Sequence, residues 1–481
     1  MNIKTIKNIG YILSFLLFTI SCKKNTSSAE IIETKVSGQI TNHKTDSIKL
    51  QLEDTTLVSA LDSNGHYNFN FRLKDESNYK LKYGQKFAYV YLIPGDSLFV
   101  STTEANLEKL FNFGSALQFS GDDSAVKFNS YFKDKNKYDG DLNKELQTAY
   151  SLEETDFLKK TDSLYNLKLQ FINDKLKKHS IKIENFKTSE ITSLEFEKAL
   201  KKLNYPVQFY RLNKKEVVLS EDYYDFIDSL NINDSRFLKL ESFKSFLNPY
   251  VNMEARKIVE KDSTLVLTEH LLFEVANDKL INQDIKNYYY FTTISWVVKI
   301  VGPLGNEDLM NKFFQLNTDK DYEATIKGKI DKWDHLKPGN IAPNITLETV
   351  GGEKKKLSDY YGAYLYIDAW ATWCAPCIAE NPALKKIAND YGEENLKILT
   401  VSIDKTKEVW KEYLQNKESV GKQLYADGAF KSNFAEQFKI KSIPRFILLD
   451  PKGKIVDVNA PRPSKKELRT VLDSIFTLNS K

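Results

Sequence analysis

Residues 364–377 read Tyr364-Leu365-Tyr366-Ile367-Asp368-Ala369-Trp370-Ala371-Thr372-Trp373-Cys374-Ala375-Pro376-Cys377. The run up to Trp370 is apolar except at Asp368 and predicts a buried strand. An amphipathic helix is expected to follow, reaching about Tyr391-Gly392, with two thiols at its start. The first turn of a helix carries free N–H groups and partial positive charge, which favour a thiolate over a thiol. The placement therefore suits thiol–disulfide exchange. The chain has three cysteines. The third, Cys22, has a separate explanation, so no other pair competes as a redox centre.

The other uses of such a pair are a structural disulfide or half of a zinc site. Zinc needs about four ligands, and no further Cys or spaced His pair completes the set. His43, His66, His179, His270 and His335 are scattered outside the motif. The sequence therefore calls for no metal and no cofactor.

At 481 residues the chain exceeds one ordinary core, and several domains are expected. A composition 41% hydrophobic and 28% charged is that of a globular protein rather than a disordered one. Net charge is +4, from 69 basic and 65 acidic residues, which gives no bulk argument for a nucleic-acid partner.

Lys4 and Lys7 precede an apolar stretch from Ile9 to Ile20 that is short for a membrane span. It ends at Thr19-Ile20-Ser21-Cys22, and this arrangement resembles a bacterial lipoprotein signal. The resemblance implies a signal peptide over 1–21 and a lipidated Cys22. An ordinary signal peptide cleaved nearby is the other reading; either way the mature chain is exported. Lys23 to Glu30 is polar, and 22–34 reads as the lipidated terminus with a flexible tether.

Three regions follow. Over 35–122, strands are expected at Val36–Ile40, Ile48–Leu52, Tyr67–Phe71, Phe87–Ile93 and Ser97–Thr102, with turns at Asn64-Gly65 and Pro94-Gly95-Asp96. The pattern suggests a small β-sandwich. It resembles a β-rich domain of unknown function that precedes thioredoxin modules in many exported bacterial proteins. Over 123–335 the apolar period turns helical, beginning with Leu146, Tyr150, Phe157, Leu164, Leu167, Phe171 and Leu176. Further helices are expected at Ser189–Leu203, Asp222–Leu230, Arg236–Glu260, Thr268–Val301 and Asn306–Phe314. Pro206, Pro249 and Gly302-Pro303 are expected to punctuate them. Tyr288-Tyr289-Tyr290-Phe291 reads as core rather than as a binding site. Over 336–481 the pattern is α/β, a β-α-β half followed by a β-β-α half. The overall expectation is a multidomain chain of β-sandwich-like, α-helical and α/β parts.

Trp370-Ala371-Thr372-Trp373-Cys374-Ala375-Pro376-Cys377, then Glu380 and Pro382, then Ser442-Ile443-Pro444 form an ordered constellation. With it, residues 336–478 resemble the TlpA/ResA branch of thioredoxin-like proteins, including an insertion over Thr406–Phe430. The resemblance implies a thioredoxin fold and a thiol–disulfide oxidoreductase. Cys374 would be the nucleophile and Cys377 the more buried resolving thiol. Asp368 stands where ordinary thioredoxins have a buried acid, whereas many members of this branch have an uncharged residue. Burial would raise its pKa and let it take a proton from Cys377, or it is a hydrogen-bonded structural acid. Glu380 matches the branch's active-site glutamate, which helps handle the thiol proton; a solvated helix glutamate is the plainer alternative. Pro382 matches the proline that kinks this helix. Ile443-Pro444 matches the cis-proline turn that pairs with an extended substrate. Trp373, Ala375 and Pro376 would complete the substrate surface. Trp370 would either join them or pack in the core, and Arg445 would either meet an acidic substrate or be solvated.

The family usually acts as a reductant of exported disulfide-containing proteins, apocytochrome c among them in cytochrome c maturation. It is fed by a membrane electron donor. For this chain that implies a periplasmic enzyme held to a membrane, the outer one, by lipidated Cys22. Two other classes are a thiol peroxidase and a binding lipoprotein. A thiol peroxidase on the same fold wants Pro-x-x-x-Thr/Ser-x-x-Cys, and the sequence has Ile367 and Ala371 at the Pro and Thr/Ser positions. A binding lipoprotein would capture a ligand or partner through 35–335, with the redox domain secondary.

Overall fold

The computed structural model describes residues 33–479, apart from 53, 54, 109–113, 182 and 418. The signal segment and Cys22 lie outside the described residues. Among those described, no helix is long and apolar enough to cross a membrane. They form two compact units. One holds the residues up to Ala149 with Lys159–Ile191, and the other holds Tyr150–Leu158 with Thr192 onward. The helical stretch thus contributes to both.

In the first unit, eight strands make two four-stranded sheets: β1 (Thr34–Thr41), β2 (Ser47–Gln51), β3 (Thr56–Ala60), β4 (His66–Phe71), β5 (Ser77–Tyr83), β6 (Lys86–Leu92), β7 (Ser97–Thr103) and β8 (Gln118–Gly121). The orders are β4-β1-β7-β8 and β3-β2-β5-β6. Alternation explains the burial: Val36 and Ile40 of β1 point inward, as do Tyr79, Leu81 and Tyr83 of β5. Residues from both sheets meet in one core with Ile48, Leu50, Val90 and Val100. Strands β3, β5 and β8 were not anticipated. The short helix α1 (Glu104–Glu108) follows β7, and α2 (Asp123–Ala149) and α3 (Glu154–Lys178) follow the sheets. Within this unit the buried Glu190 carboxylate accepts from the Tyr131 hydroxyl at 2.5 Å and pairs with Lys135 at 2.7 Å.

The boundary between the units falls within α4 (Glu184–Asn213), which is followed by α5 (Glu241–Lys261), α6 (Glu269–Lys279), α7 (Gln283–Ile300), α8 (Glu307–Leu316) and α9 (Lys320–Ile330). Three helical expectations need correction. Asp222–Leu230 holds only a short 3-10 turn at Asp225–Ile227. Thr268–Val301 is two helices, because Asn282 caps α7 by accepting from the N–H groups of Asp284 and Ile285. Pro206 and Pro249 lie inside α4 and α5 instead of ending them. The neighbours Tyr205, Tyr250 and Val251 are buried, and burial of that kind opposes the local penalty of a helical proline. Tyr289 and Tyr290 are core residues, as read from sequence.

The C-terminal part is a seven-stranded mixed sheet ordered β10-β9-β13-β12-β11-β14-β15. Its strands are β9 (Thr346–Thr349), β10 (Lys354–Lys356), β11 (Tyr364–Trp370), β12 (Leu396–Ser402), β13 (Lys422–Tyr425), β14 (Arg445–Leu449) and β15 (Ile455–Asp457). The helices are α10 (Ala375–Ile378), α11 (Asn381–Tyr391), α12 (Lys407–Asn416), α13 (Asn433–Gln437) and α14 (Lys466–Asn479). Strand β11 is central, parallel to β12 and antiparallel to β14, and every residue from Leu365 to Trp370 is buried. Tyr366 joins Leu384 and Ile387 of α11 and Leu468 and Leu472 of α14 on one face. Leu365, Ile367 and Ala369 point the other way, into a core that continues into the helical residues from Phe196 to Leu336. The insertion over Thr406–Phe430 supplies α12 and β13, and β13 enters the sheet between β9 and β12.

The β14–β15 turn depends on a glycine. Gly453 has φ +79, and a Cβ there would lie 2.1 Å from the Tyr361 ring. We expect Gly453→Ala to destabilise the protein by about 2 kcal/mol through positive φ and overlap. A urea titration reads it; an unchanged midpoint would refute this account of the turn.

Candidate active site

Cys374 lies just past the end of β11 and is the N-cap of α10. Its Sγ accepts from the Cys377 N–H at 3.2 Å, and the two cysteines form a disulfide. Both are equally buried, so the expected contrast between an exposed nucleophile and a more buried resolving thiol is absent, and the N–H field acts on the sulfur with little competing water. The expected continuous helix is broken: α10 ends at Ile378 and α11 begins at Asn381. Pro382 lies in the first turn of α11, where its missing N–H is tolerated.

Asp368 is 3% exposed, and one of its carboxyl oxygens has no hydrogen-bond partner. Alternation along β11 places it on the face of Tyr366, under α11 and α14. Burial first, and the charge of Glu380 second, push its pKa up to about 8. Glu380 is buried rather than solvated. It accepts from the Ser464 N–H at 2.9 Å and from the Ser464 hydroxyl at 3.0 Å, with the Arg462 guanidinium 3.9 Å away. The two carboxyls are therefore electrically coupled, and one of them is pinned.

The loop before Cys374 is held by a residue the sequence reading missed. Buried Asp404 accepts from the Thr372 N–H at 3.1 Å, the Thr372 hydroxyl at 2.7 Å and the Ser402 hydroxyl at 2.7 Å. The available signal was an acid two residues past the strand that pairs with β11.

The Ile443–Pro444 peptide bond is cis. Ile443 and Pro444 are half-buried, Ala375 and Pro376 are exposed, and Trp373 is 60% exposed, with Phe430 beside it. Trp370 is buried against Tyr413 and offers no docking surface. Arg445 neither faces solvent nor reaches for substrate. It is buried and donates to the Ile300 carbonyl at the end of α7 at 2.7 Å. Burial lowers its pKa to about 10, with the nearby Asp457 charge opposing the shift.

The AhpC/TSA family model matches residues 338–458. Thioredoxin-like protein YneN of Bacillus subtilis is 31% identical over 148 residues, covering 29% of this chain and 80% of its own. The chain belongs to the thioredoxin-like family. Thiol-disulfide oxidoreductase ResA of Bacillus subtilis is 26% identical over 137 residues, covering 28% of this chain and 73% of its own. Among solved structures, the thioredoxin domain of a thiol-disulfide oxidoreductase from Bacteroides vulgatus is 30% identical, with TM-score 0.27, covering 29% of this chain and 98% of that one. A thiol-disulfide oxidoreductase from Bacteroides fragilis is 28% identical, with TM-score 0.26, covering 27% and 99%. The protein is a thiol–disulfide oxidoreductase of the thioredoxin-like type, through its C-terminal domain.

The buried acid sets a pH dependence in this thioredoxin-like domain. Asp368 holds its proton to about pH 8 when folded, against 3.8 as the ordinary value. Between those values the folded state binds more protons than the unfolded one, so this group's contribution to stability falls as pH rises and is lowest above pH 8. We expect Asp368→Asn to stabilise the oxidised protein by roughly 5 kcal/mol at the alkaline end and by little near pH 4. Denaturation midpoints measured across pH decide it; a mutant curve parallel to wild type would refute the buried-acid account.

Proposed function

We propose that this oxidoreductase works as an exported reductant of protein disulfides. The observation that carries the reading is the Cys374 sulfur at a helix start with a buried, proton-binding carboxyl in the strand behind it. In the reduced enzyme the Cys374 thiolate attacks one sulfur of a substrate disulfide. A Cys374–substrate disulfide forms and one substrate thiolate leaves. Where Asp368 is ionised, a fraction that grows as pH approaches about 8, Cys377 then gives its proton to the Asp368 carboxylate, and its thiolate attacks the Cys374 sulfur. The second substrate thiolate leaves, and the Cys374–Cys377 disulfide remains. Two electrons have passed to the substrate, and a membrane electron donor restores the dithiol. Glu380 acts through Asp368: held by Ser464, its negative charge raises the affinity of Asp368 for the proton. Trp373, Ala375, Pro376, Ile443 and Pro444 contact the substrate, whose extended chain lies along Ile443.

A peroxidase reading draws on the AhpC/TSA name. The residues seven and three before Cys374 are Ile367 and Ala371, which supply neither the proline nor the hydroxyl that peroxide chemistry wants.

Trapping tests the assignment of roles. Cys374→Ala should abolish disulfide reduction, whereas Cys377→Ala should accumulate mixed disulfides through Cys374. Asp368→Asn should slow resolution about a hundredfold, the lower end of general base catalysis, and change the initial attack less. Glu380→Gln should shift the pH profile of resolution to lower pH. Trapping through Cys377 would reverse the thiol roles, and wild-type resolution in both carboxyl variants would remove the carboxyls from the proton path.

For location we propose a periplasmic enzyme anchored to the outer membrane by lipidated Cys22, on the strength of the sequence Thr19-Ile20-Ser21-Cys22 after its apolar run. Cys22→Ser should then be exported without acyl label and released from membranes. Identical fractionation of the two proteins, with label on neither, would refute the anchor.

A further inference from the structure

Away from the disulfide, in the same unit, a groove of about 450 Å³ opens between the end of α7, the end of α9 and the loop before β14. Five lysines line it: Lys299, Lys329, Lys332, Lys439 and Lys441. No carboxylate is among its lining residues. Lys329 is half-buried and donates to the Ser295 hydroxyl at 2.9 Å, a neutral partner that leaves its charge uncompensated. Burial, then the charges of Lys332 and Lys299, lower the pKa of Lys329, so these three ammonium groups lie within each other's fields. The adjacent carboxylate Asp334 is paired with Lys337 at 2.7 Å rather than with the groove. Between the lysines lie apolar surfaces of Val298, of buried Trp333 and of Trp296, a residue 52% exposed.

Like charges gathered in one concavity repel, and the fold gains nothing from them unless a counter-charge arrives. The groove also adjoins the substrate loop. Lys441 precedes Ile443 by two residues, which span at most about 7 Å. A peptide running past Ile443 therefore meets Lys441 within a residue or two. Arg445 fastens the far side of that loop to the end of α7, next to Lys299, so loop and groove are positioned together.

We propose that this groove binds an acidic segment of the substrate protein, flanking the disulfide that Cys374 attacks, with an apolar side chain set against Trp296. This rests on the reductase reading above and narrows its substrate class to disulfides with Asp- or Glu-rich flanks.

The test uses the reduced full chain and two cyclic disulfide peptides that differ only in carrying three Glu or three Ser on one flank. The acidic peptide should be reduced about tenfold faster at low salt, the sum of a few exposed ion pairs. In about 1 M salt, where the screening length is about 3 Å, the advantage should vanish. In Lys299→Ala/Lys332→Ala the ratio of the two rates should approach one. In Lys299→Glu/Lys332→Glu a peptide flanked by three Lys should become the preferred substrate, which a merely structural effect would not produce. Equal rates for the two peptides in wild type when both are reduced, or an unchanged ratio in both variants, would overturn the proposal.

Fluorescence anisotropy of a cysteine-free Glu-flanked peptide on the oxidised chain separates the groove from the chemistry. Binding that Lys299→Glu/Lys332→Glu abolishes supports the groove even where neither disulfide peptide is reduced, an outcome that would sink only the reductase reading. Reduction of both peptides without such binding would sink only the groove. If the same variant abolishes binding of inorganic phosphate or of phosphatidylglycerol vesicles while the acidic peptide never binds, the groove belongs to a free anion or to a lipid surface, and the proposal fails.

Discussion

A carboxyl group buried in the middle of a seven-stranded sheet is the constraint around which the redox site is arranged. Asp368 lies on a strand that pairs in parallel with β12 on one side and antiparallel with β14 on the other, with side chains packed over both faces. An apolar residue there would stabilise the sheet; an acid there penalises it whenever ionised. The fold deepens the penalty by holding Glu380 nearby as a second acid. Ser464 supplies that carboxylate with two hydrogen bonds from the segment before α14. One acid is kept fixed, and its charge adds to burial in making the other reluctant to lose its proton.

The same site depends on parts of the chain far outside the thioredoxin-like fold. One core runs from Phe196 on α4 through Tyr290 on α7 to Ile367 and Cys377. The Arg445 guanidinium closes the end of α7 through the Ile300 carbonyl, where the negative end of the helix dipole favours a cation. Because Arg445 directly follows Pro444, α7 and the substrate loop share a fastening. The helices of this unit are thus part of the scaffold that positions the loop.

What was legible in the sequence follows the range of the interactions involved. The strand, the thiols and the proline turn carry local signatures: an apolar run, a two-residue spacing and an Ile-Pro dipeptide. These placed the C-terminal domain and its cysteines. Contacts that join distant residues carried no such mark. Asp404 reaches Thr372 across 32 positions, Ser464 reaches Glu380 across 84, and Arg445 reaches Ile300 across 145. In the N-terminal sheets, Tyr79-Lys80-Leu81-Lys82-Tyr83 has the strict alternation of a half-buried strand and was readable, though unread. Strand β3 was not, since its residues are exposed or half-buried and lack apolar contrast. Pro206 and Pro249 misled because local helix propensity yields to tertiary burial.

The break between α10 and α11 shows how one residue type shapes this chemistry. Pro382 has no N–H to offer the Ile378 carbonyl four residues back, so an unbroken helix through this point would lose that bond. The chain instead closes α10 with a tight bond from the Glu380 N–H to the Cys377 carbonyl at 3.1 Å, then starts α11 with Glu380 as its N-cap. On a continuous helix, Glu380 would stand one turn along from Cys377 on a face fixed by the helical period. The backbone stays in the helical region at Ala379 and Glu380 through the break, so Glu380 keeps close to that place, and its carboxylate meets Ser464. The Glu380 charge that helps hold the proton on Asp368 is thus fixed by its helical position and by Ser464 together.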